Sequence, residues 1–315
     1  MTEGGDGVAL GPGPEFDRIR AVWRALGGHG AALGDDAALV EVGGERLAIS
    51  TDLAIEGQHF RLGWLDPVEI GWRAAAGALS DLAAVAAQPV GVLASVGVPG
   101  ERSEAFLTEL MDGVARAAAC VGAKVWGGDL VRSEHVTIDV VVVGRAPAPV
   151  SRAGARPGDG LWVTGRLGGA VTAVRAWSEG REPSAEARAR FAHPTPRIAE
   201  GAWLRDRGAR AMIDLSDGLV GDAGHLAAAS GVVCVIEADR VPIHASADWE
   251  SAIAGGEEYE LLVALPGETP DSLGGEFEVE FGVPLTHIGR IEEGTGVRVV
   301  RNGQPVDVEG GFSHF

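Results

Sequence analysis

Seven aspartates fall in five short loops that also carry glycine, serine or threonine: Gly34-Asp35-Asp36, Ser50-Thr51-Asp52, Leu79-Ser80-Asp81, Gly127-Gly128-Asp129 and Asp214-Leu215-Ser216-Asp217-Gly218. Asp52, Asp129 and Asp214 each follow an apolar run, where a strand ending would carry a carboxylate out of a sheet edge. Gathered carboxylates repel one another unless cations lie between them, and Mg²⁺ prefers one or two carboxylates plus waters and substrate phosphates to an all-protein cage. The pattern asks for a fold that closes distant loops on one cleft. It reads as a polyphosphate site in which metals, not basic side chains, hold the anion. Asp and Gly are also ordinary turn formers, so any one of these segments serves equally as a plain turn. Chance is a poor account of all five together, each ending an apolar run or opening a helix.

Charge and lysine usage exclude whole classes. A net charge of −19 argues against nucleic acid, whose backbone demands clustered Lys and Arg. Lys124 is the only lysine. It stands in Gly122-Ala123-Lys124-Val125, which matches neither the G-x-x-x-x-G-K-[ST] of a P-loop nor the strand lysine of a protein kinase. Cys120 and Cys234 lie far apart in apolar contexts and read as two buried thiols of a reducing, cytoplasmic compartment. No leader segment is expected at the acidic, glycine-rich start, and the uncharged stretch 82–100 is broken by Gln88, Pro89, Ser95 and Pro99, so no membrane span is expected either.

Apolar spacing predicts a helix from Phe16 to Leu26, a hairpin of 38–42 and 47–51 about Gly43-Gly44, and a helix begun at Asp66-Pro67 that carries Asp81 and stops before Pro89. A strand over 90–98, a helix over 104–121 and strands over 124–126 and 135–143 follow. The Pro- and Ala-rich stretch 145–158 is the best domain boundary, dividing the chain into 1–148 and 149–315. Beyond it the spacing predicts strands at 161–164, 212–213, 232–237, 259–265, 277–281, 287–290 and 297–300, with helices at 168–178, 196–207 and 223–230. The chain is thus of the α+β class, two halves with aspartates at loop ends and a shared cleft between them.

The ordered series Gly34-Asp-Asp-Ala-Ala-Leu, Ile49-Ser-Thr-Asp, Gly57-Gln-His-Phe, Leu79-Ser-Asp-Leu-Ala-Ala, Gly127-Gly-Asp, Ile213-Asp-Leu-Ser-Asp-Gly-Leu, Gly255-Gly-Glu-Glu-Tyr-Glu-Leu and the terminal Gly311-Phe-Ser-His-Phe resembles the thiamine-monophosphate kinase family across essentially the whole chain. That family belongs with aminoimidazole ribonucleotide synthetase, selenophosphate synthetase and the hydrogenase-maturation carbamoyl dehydratase. The resemblance implies a two-domain ATP-binding fold whose N-terminal domain forms a β-barrel in a homodimer. It also implies ATP-dependent phosphorylation of thiamine monophosphate to thiamine diphosphate by direct in-line transfer. Selenophosphate synthetase is disfavoured, because the first cysteine here is Cys120 and that enzyme is expected to use an N-terminal Cys or selenocysteine.

Carried onto this sequence, the resemblance makes Asp36, Ser50, Thr51, Asp52, Asp81, Asp129, Asp214 and Asp217 the metal-binding residues, with Asp52, Asp129 and Asp217 as catalytic carboxylates. Gly128, Asp129, Arg152 and Ser216 are its nucleotide contacts, and His59, Glu257 and Phe312 its substrate contacts. Several Mg²⁺ ions are the implied cofactors, and a monovalent cation such as K⁺ is a further candidate. Asp35 serves the turn. Leu130, Ala78 and Glu258 stand where the family usually has Thr, Asn and Asp. Tyr259, the only tyrosine, reads as core, and His135, His193, His225, His244 and His287 show no metal-ligand spacing. Two other readings stand beside this one: an ATP-dependent enzyme of the same superfamily with another acceptor, and a non-catalytic metal- or nucleotide-binding protein.

Overall fold

The computed structural model describes residues 8–30 and 34–308. Helix α1 (Pro14–Leu26) and a 3₁₀ turn (Gly27–Gly30) precede the first sheet. In chain order there follow β1 (Ala38–Val42), β2 (Glu45–Ile55), α2 (Pro67–Ala84), β3 (Gln88–Val98), α3 (Glu104–Cys120), β4 (Lys124–Arg132) and β5 (Thr137–Arg145). The five strands form one open sheet in the order β1-β2-β5-β3-β4. Gly43 and Gly44 both take positive φ (61° and 86°), the two-residue turn whose twist matches the flanking strands, so β1 and β2 pair as the expected hairpin.

The alternation of β5 fixes the faces of this sheet. Ile138, Val140 and Val142 are fully buried and pack with Ala75, Ala78, Leu79 and Leu82 of α2, because a strand turns every second side chain to one face. On the opposite face Leu53, Leu93 and Val131 are exposed. The sheet ends at β1 and β4, so the expected barrel is not closed by one chain.

Helix α2 starts on a capping box: Asp66 accepts from the Glu69 N–H (2.9 Å) and Glu69 accepts from the Asp66 N–H (3.0 Å), with Pro67 in the first turn. Its Ala-rich body is buried on nearly all sides, since it lies between the first sheet and the second half of the chain.

That half contains β6 (Gly160–Thr164), α4 (Gly169–Ser178), α5 (Ala185–Ala192), α6 (Ile198–Asp206), β7 (Ala211–Asp214), α7 (Leu219–Ser230), β8 (Val232–Glu237), α8 (Trp249–Ala254), β9 (Leu261–Leu265), α9 (Ser272–Phe281), β10 (Leu285–Glu293), β11 (Gly296–Arg301) and β12 (Gln304–Val306). The strand order is β12-β11-β8-β10-β6-β9-β7. β6, β7 and β9 are buried throughout, which explains why they appear in the sequence as short continuous apolar runs. Among the described residues no helix is long and apolar enough to cross a membrane.

Four expectations are corrected. Cys234 is buried, but Cys120, at the end of α3, is exposed. Asp52 and Asp129 lie inside β2 and β4, because main-chain pairing continues past the carboxylate, with Asp52 opposite Val140 and Asp129 opposite Ser95. Asp214 does end its strand. The strand expected over 277–281 is the second half of α9. Its Phe-Glu-Val-Glu-Phe alternation mimics a strand, yet Val279 is 90% exposed, and the apolar contacts are made by Leu273, Phe277 and Phe281 at helical spacing.

Candidate active site

One stripe of α2 organises the site. Arg73, Gly77 and Asp81 are spaced four residues apart and so share a helix face. Asp81 meets Asp36 and Asp214, one carboxylate oxygen of each lying within 4.8 Å of the others. β2 supplies the next groups by alternation. Ser50 and Asp52 share the face of buried Ala48, and the Ser50 hydroxyl donates to Asp81 Oδ2 (2.6 Å) and lies 3.0 Å from the Asp36 carbonyl. Gly77 has no Cβ for a steric reason, since one there would stand 2.9 Å from Asp52 Oδ2 and 3.2 Å from the Tyr259 hydroxyl.

The electrostatics of this cluster are unbalanced. Burial, reinforced by Asp214 and Asp35 against the counter-pull of Arg152, raises Asp36 to about 7. Burial and the neighbouring Asp214 and Asp36 carry Asp81 well above its ordinary value. Burial likewise raises Asp214 to about 6, and burial with Glu257 raises Asp52 to about 6. Arg152 is the cation among them, its guanidinium 2.5 Å from Asp36 Oδ1 and 3.6 Å from Asp35 Oδ1. Asp35 accepts from the Ser151 hydroxyl and from the Arg152 N–H, so it ties the first loop to the interdomain segment, beyond the turn role expected of it.

A cavity of about 390 Å³ reaches Glu257, whose charge acts on Asp52, and is lined by Gly57, His59, Phe60, Trp64, Phe191 and Glu257 among others. His59 Nδ1 accepts from the Ile55 N–H (3.0 Å), which makes Nε2 the protonated end of the neutral ring. Glu257 sits on the strap 255–260 between α8 and β9, with φ +69°, and Tyr259 has φ +51°. The strap is clipped to the Asp214–Asp217 loop by main-chain bonds: Glu257 N–H to Ser216 carbonyl (2.7 Å), Tyr259 N–H to Leu215 carbonyl (2.8 Å) and Leu215 N–H to Glu260 carbonyl (2.8 Å). Alternate residues face opposite ways. Glu258 accepts from the Gly168 and Ala170 N–H groups and from Arg190, anchoring the start of α4. Glu260 is held by Arg197, Arg190 and Thr164.

Other expected residues stand apart. The Thr51 hydroxyl points to the sheet face opposite Ser50 and Asp52 and donates to Asp139 (2.6 Å). Gly128 and Asp129 are exposed on the edge strand β4, with β3 and β5 between them and β2. Gly128 is small because a Cβ would meet the Ala94 carbonyl at 1.7 Å. Asp217 gathers instead with Asp222 and His225 of α7. Burial first, then Arg152, lowers His225 to about 4. The spacing Asp222-x-x-His225 is one helical turn, a signal that a search for His–His spacing misses. Phe312 lies outside the described residues. Arg73 and the polar contact of Tyr259 went unread in the sequence, since neither belongs to a loop motif.

Two α+β sheets closing aspartate loops on a shared cleft define a class. The family models for AIR synthase related protein match this chain, the N-terminal domain over residues 34–146 and the C-terminal domain over 156–302. Thiamine-monophosphate kinase of Mycobacterium tuberculosis is 37% identical over 250 residues, 75% of each chain, and that of Salmonella typhimurium is 34% identical over 322 residues, 95% of each. The solved structure of AaThiL complexed with AMPPCP and TMP superposes with a TM-score of 0.85 at 32% identity, covering 96% of this chain and 97% of that one. The chain belongs to the thiamine-monophosphate kinase family of enzymes.

Proposed function

We propose that this enzyme transfers the γ-phosphoryl group of ATP directly to thiamine monophosphate, giving thiamine diphosphate and ADP. The observation that carries the reading is the stripe of α2 that brings Asp81 into a carboxylate triad at one end and sets Arg73 against Glu257 of the cavity at the other. A relative of the same fold binds an ATP analogue together with TMP.

The triad suits Mg²⁺. Its donors are all oxygen, as a hard cation prefers, and Asp36 Oδ2 is buried with no hydrogen-bond partner among the described residues. Asp36, Ser50, Asp52, Asp81 and Asp214 would hold Mg²⁺, joined by Thr51 through its main-chain oxygen and by Asp129 and Asp217 on the strength of the family resemblance. Bound there, Mg²⁺ would neutralise phosphate charge and align the two polyanions.

The chain's own residues do the remainder. Arg152 offers a forked guanidinium to the nucleotide phosphates, with Gly128 and Ser216 as main-chain contacts. His59, Glu257 and Phe312 receive the thiamine end, where a carboxylate and an aromatic face suit a cationic thiazolium and an aminopyrimidine. An acceptor phosphate oxygen, already anionic, attacks the γ-phosphorus as the bond to ADP breaks, so no side chain has to remove a proton. The reading keeps the division at 1–148 and 149–315. It also pairs two copies through the apolar outer face of the first sheet, whose Leu53, Leu93, Trp126 and Val131 are exposed in one chain, to close a two-fold barrel. A coupled ADP-release assay decides the chemistry. Turnover with thiamine monophosphate, and none with thiamine or without acceptor, is expected. Turnover that ignores the acceptor would overturn the reading.

A further inference from the structure

We propose that Arg73 is a positioning residue for the acceptor: it holds the Glu257 carboxylate in the one orientation that presents an oxygen to the cavity. This deepens the functional reading above and rests on it.

Arg73 is 4% exposed, in the middle of α2, and it does not line the cavity. Its guanidinium has two ends with two different partners. Nη1 donates to the Phe191 carbonyl (2.5 Å), and Nη2 is ion-paired with Glu257 Oε2. The guanidinium carbon lies 3.6 Å from the centroid of the Phe191 ring, which fixes the plane of the fork. Tyr259 donates its hydroxyl to the same Glu257 Oε2 (2.9 Å). Both restraints therefore fall on one oxygen and neither falls on Oε1, while Glu257 itself lines the cavity.

A lysine would not reproduce this arrangement. Its single ammonium lacks the planar fork that reaches two fixed acceptors at once. The backbone adds a reason for the device. Glu257 has φ +69°, a conformation that non-glycine residues hold only when their surroundings impose it. An unrestrained carboxylate on that strap would swing across several rotamers, and binding would have to freeze them. Arg73 does so beforehand. Phe191 lines the same cavity, so the same guanidinium also sets one of its aromatic walls.

The competing account is that Arg73 is a buried structural cation whose loss loosens the whole cleft. Arg73→Met and Arg73→Lys, each made alone and in a Glu257→Gln background, separate the two by steady-state kinetics. If Arg73 acts through Glu257, Arg73→Met raises the acceptor KM by roughly 10- to 100-fold, the scale of a lost charge-assisted hydrogen bond. The ATP KM should stay within about twofold, and in the Glu257→Gln background the same change should add less than about threefold. Arg73→Lys should fall between wild type and Arg73→Met. Equal losses in both backgrounds, or an ATP KM that rises with the acceptor KM, would overturn the proposal.

Tyr259 supplies a readout independent of turnover. As the only tyrosine, it gives a single Cζ resonance in protein labelled with ¹³C-tyrosine, and that resonance senses the bond to Glu257. It should shift in Arg73→Lys, and an unmoved resonance would refute positioning even if Arg73→Met does not fold. Wild-type protein that fails to phosphorylate thiamine monophosphate would remove the functional reading, and the resonance would then decide the Arg73–Glu257 link alone.

Discussion

Gly77→Ala sets two effects of one methyl group against each other. In a helix interior alanine is favoured over glycine by about 1 kcal/mol, and α2 would gain that. The added carbon would stand 2.9 Å from Asp52 Oδ2 and 3.2 Å from the Tyr259 hydroxyl. Ordinary van der Waals contact begins near 3.4 Å, so both side chains have to withdraw by a few tenths of an ångström. Overpacking of this kind costs about 1–3 kcal/mol. The net effect on stability is therefore between neutral and a loss of about 2 kcal/mol. Activity is affected more strongly. A misplacement of about 1 Å at a reacting group costs roughly 100-fold, and a shift of about half that at Asp52 is expected to lower kcat on the order of tenfold. Urea denaturation and steady-state kinetics at saturating ATP and Mg²⁺ measure the two effects on the same preparation. A variant stabilised by the full helix-propensity gain with unchanged kcat would refute the reasoning, because it would mean that neither Asp52 nor Tyr259 crowds this face of α2.

Asp52→Asn is expected to reduce transfer by several orders of magnitude, on the scale of lost electrostatic stabilisation, with an unchanged circular dichroism spectrum; near-normal turnover at saturating Mg²⁺ would show that Asp52 is not a ligand. Arg197→Met is expected to cost about 3–5 kcal/mol, the penalty for stranding one partner of a buried pair, here Glu260 Oε1 at 2.7 Å. Burial alone would raise Glu260, but Arg197 and Arg190 outweigh it and hold the carboxyl low. The stability this contributes is complete above the ordinary glutamate value of about 4.3 and is lost as pH falls through the lowered one. Acid titration of unfolding should accordingly be shallower in the variant than in the wild type. Light scattering at micromolar concentration should give twice the chain mass, and a monomer there would remove the barrel from the proposal.

Much of this was legible in the sequence where local rules decide. The Gly43-Gly44 hairpin, the Asp66-Pro67 cap of α2 and the strand 232–237 follow from turn chemistry, capping and apolar runs. The meeting of Asp36, Asp81 and Asp214 was legible because chance turn formation is a poor account of so many loop aspartates, though Asp129 and Asp217 lie apart from it. What escaped depends on tertiary contact. Arg73 looks like one more residue of an Ala-rich helix until the strap 255–260 is laid against it. The strand assigned to 277–281 failed because alternation over five residues does not say whether a sheet is there to receive it. His225 joins Asp217 and Asp222 only once α7 has begun at Leu219, four residues earlier than periodicity places it.

The stripe of α2 also measures length. A helix rises about 1.5 Å per residue, so Arg73 and Asp81 are separated by roughly 12 Å along the axis. On the reading proposed above, one end of that rod would fix the carboxylate that receives the acceptor, and the other belongs to the cluster where its phosphate would react. Selection in such a site acts on molecular span as well as on charge. An acceptor one methylene too long or too short would be gripped as firmly as the right one, yet its phosphate would miss the reacting position. Near-cognate compounds would then be inhibitors of the enzyme, not slow substrates.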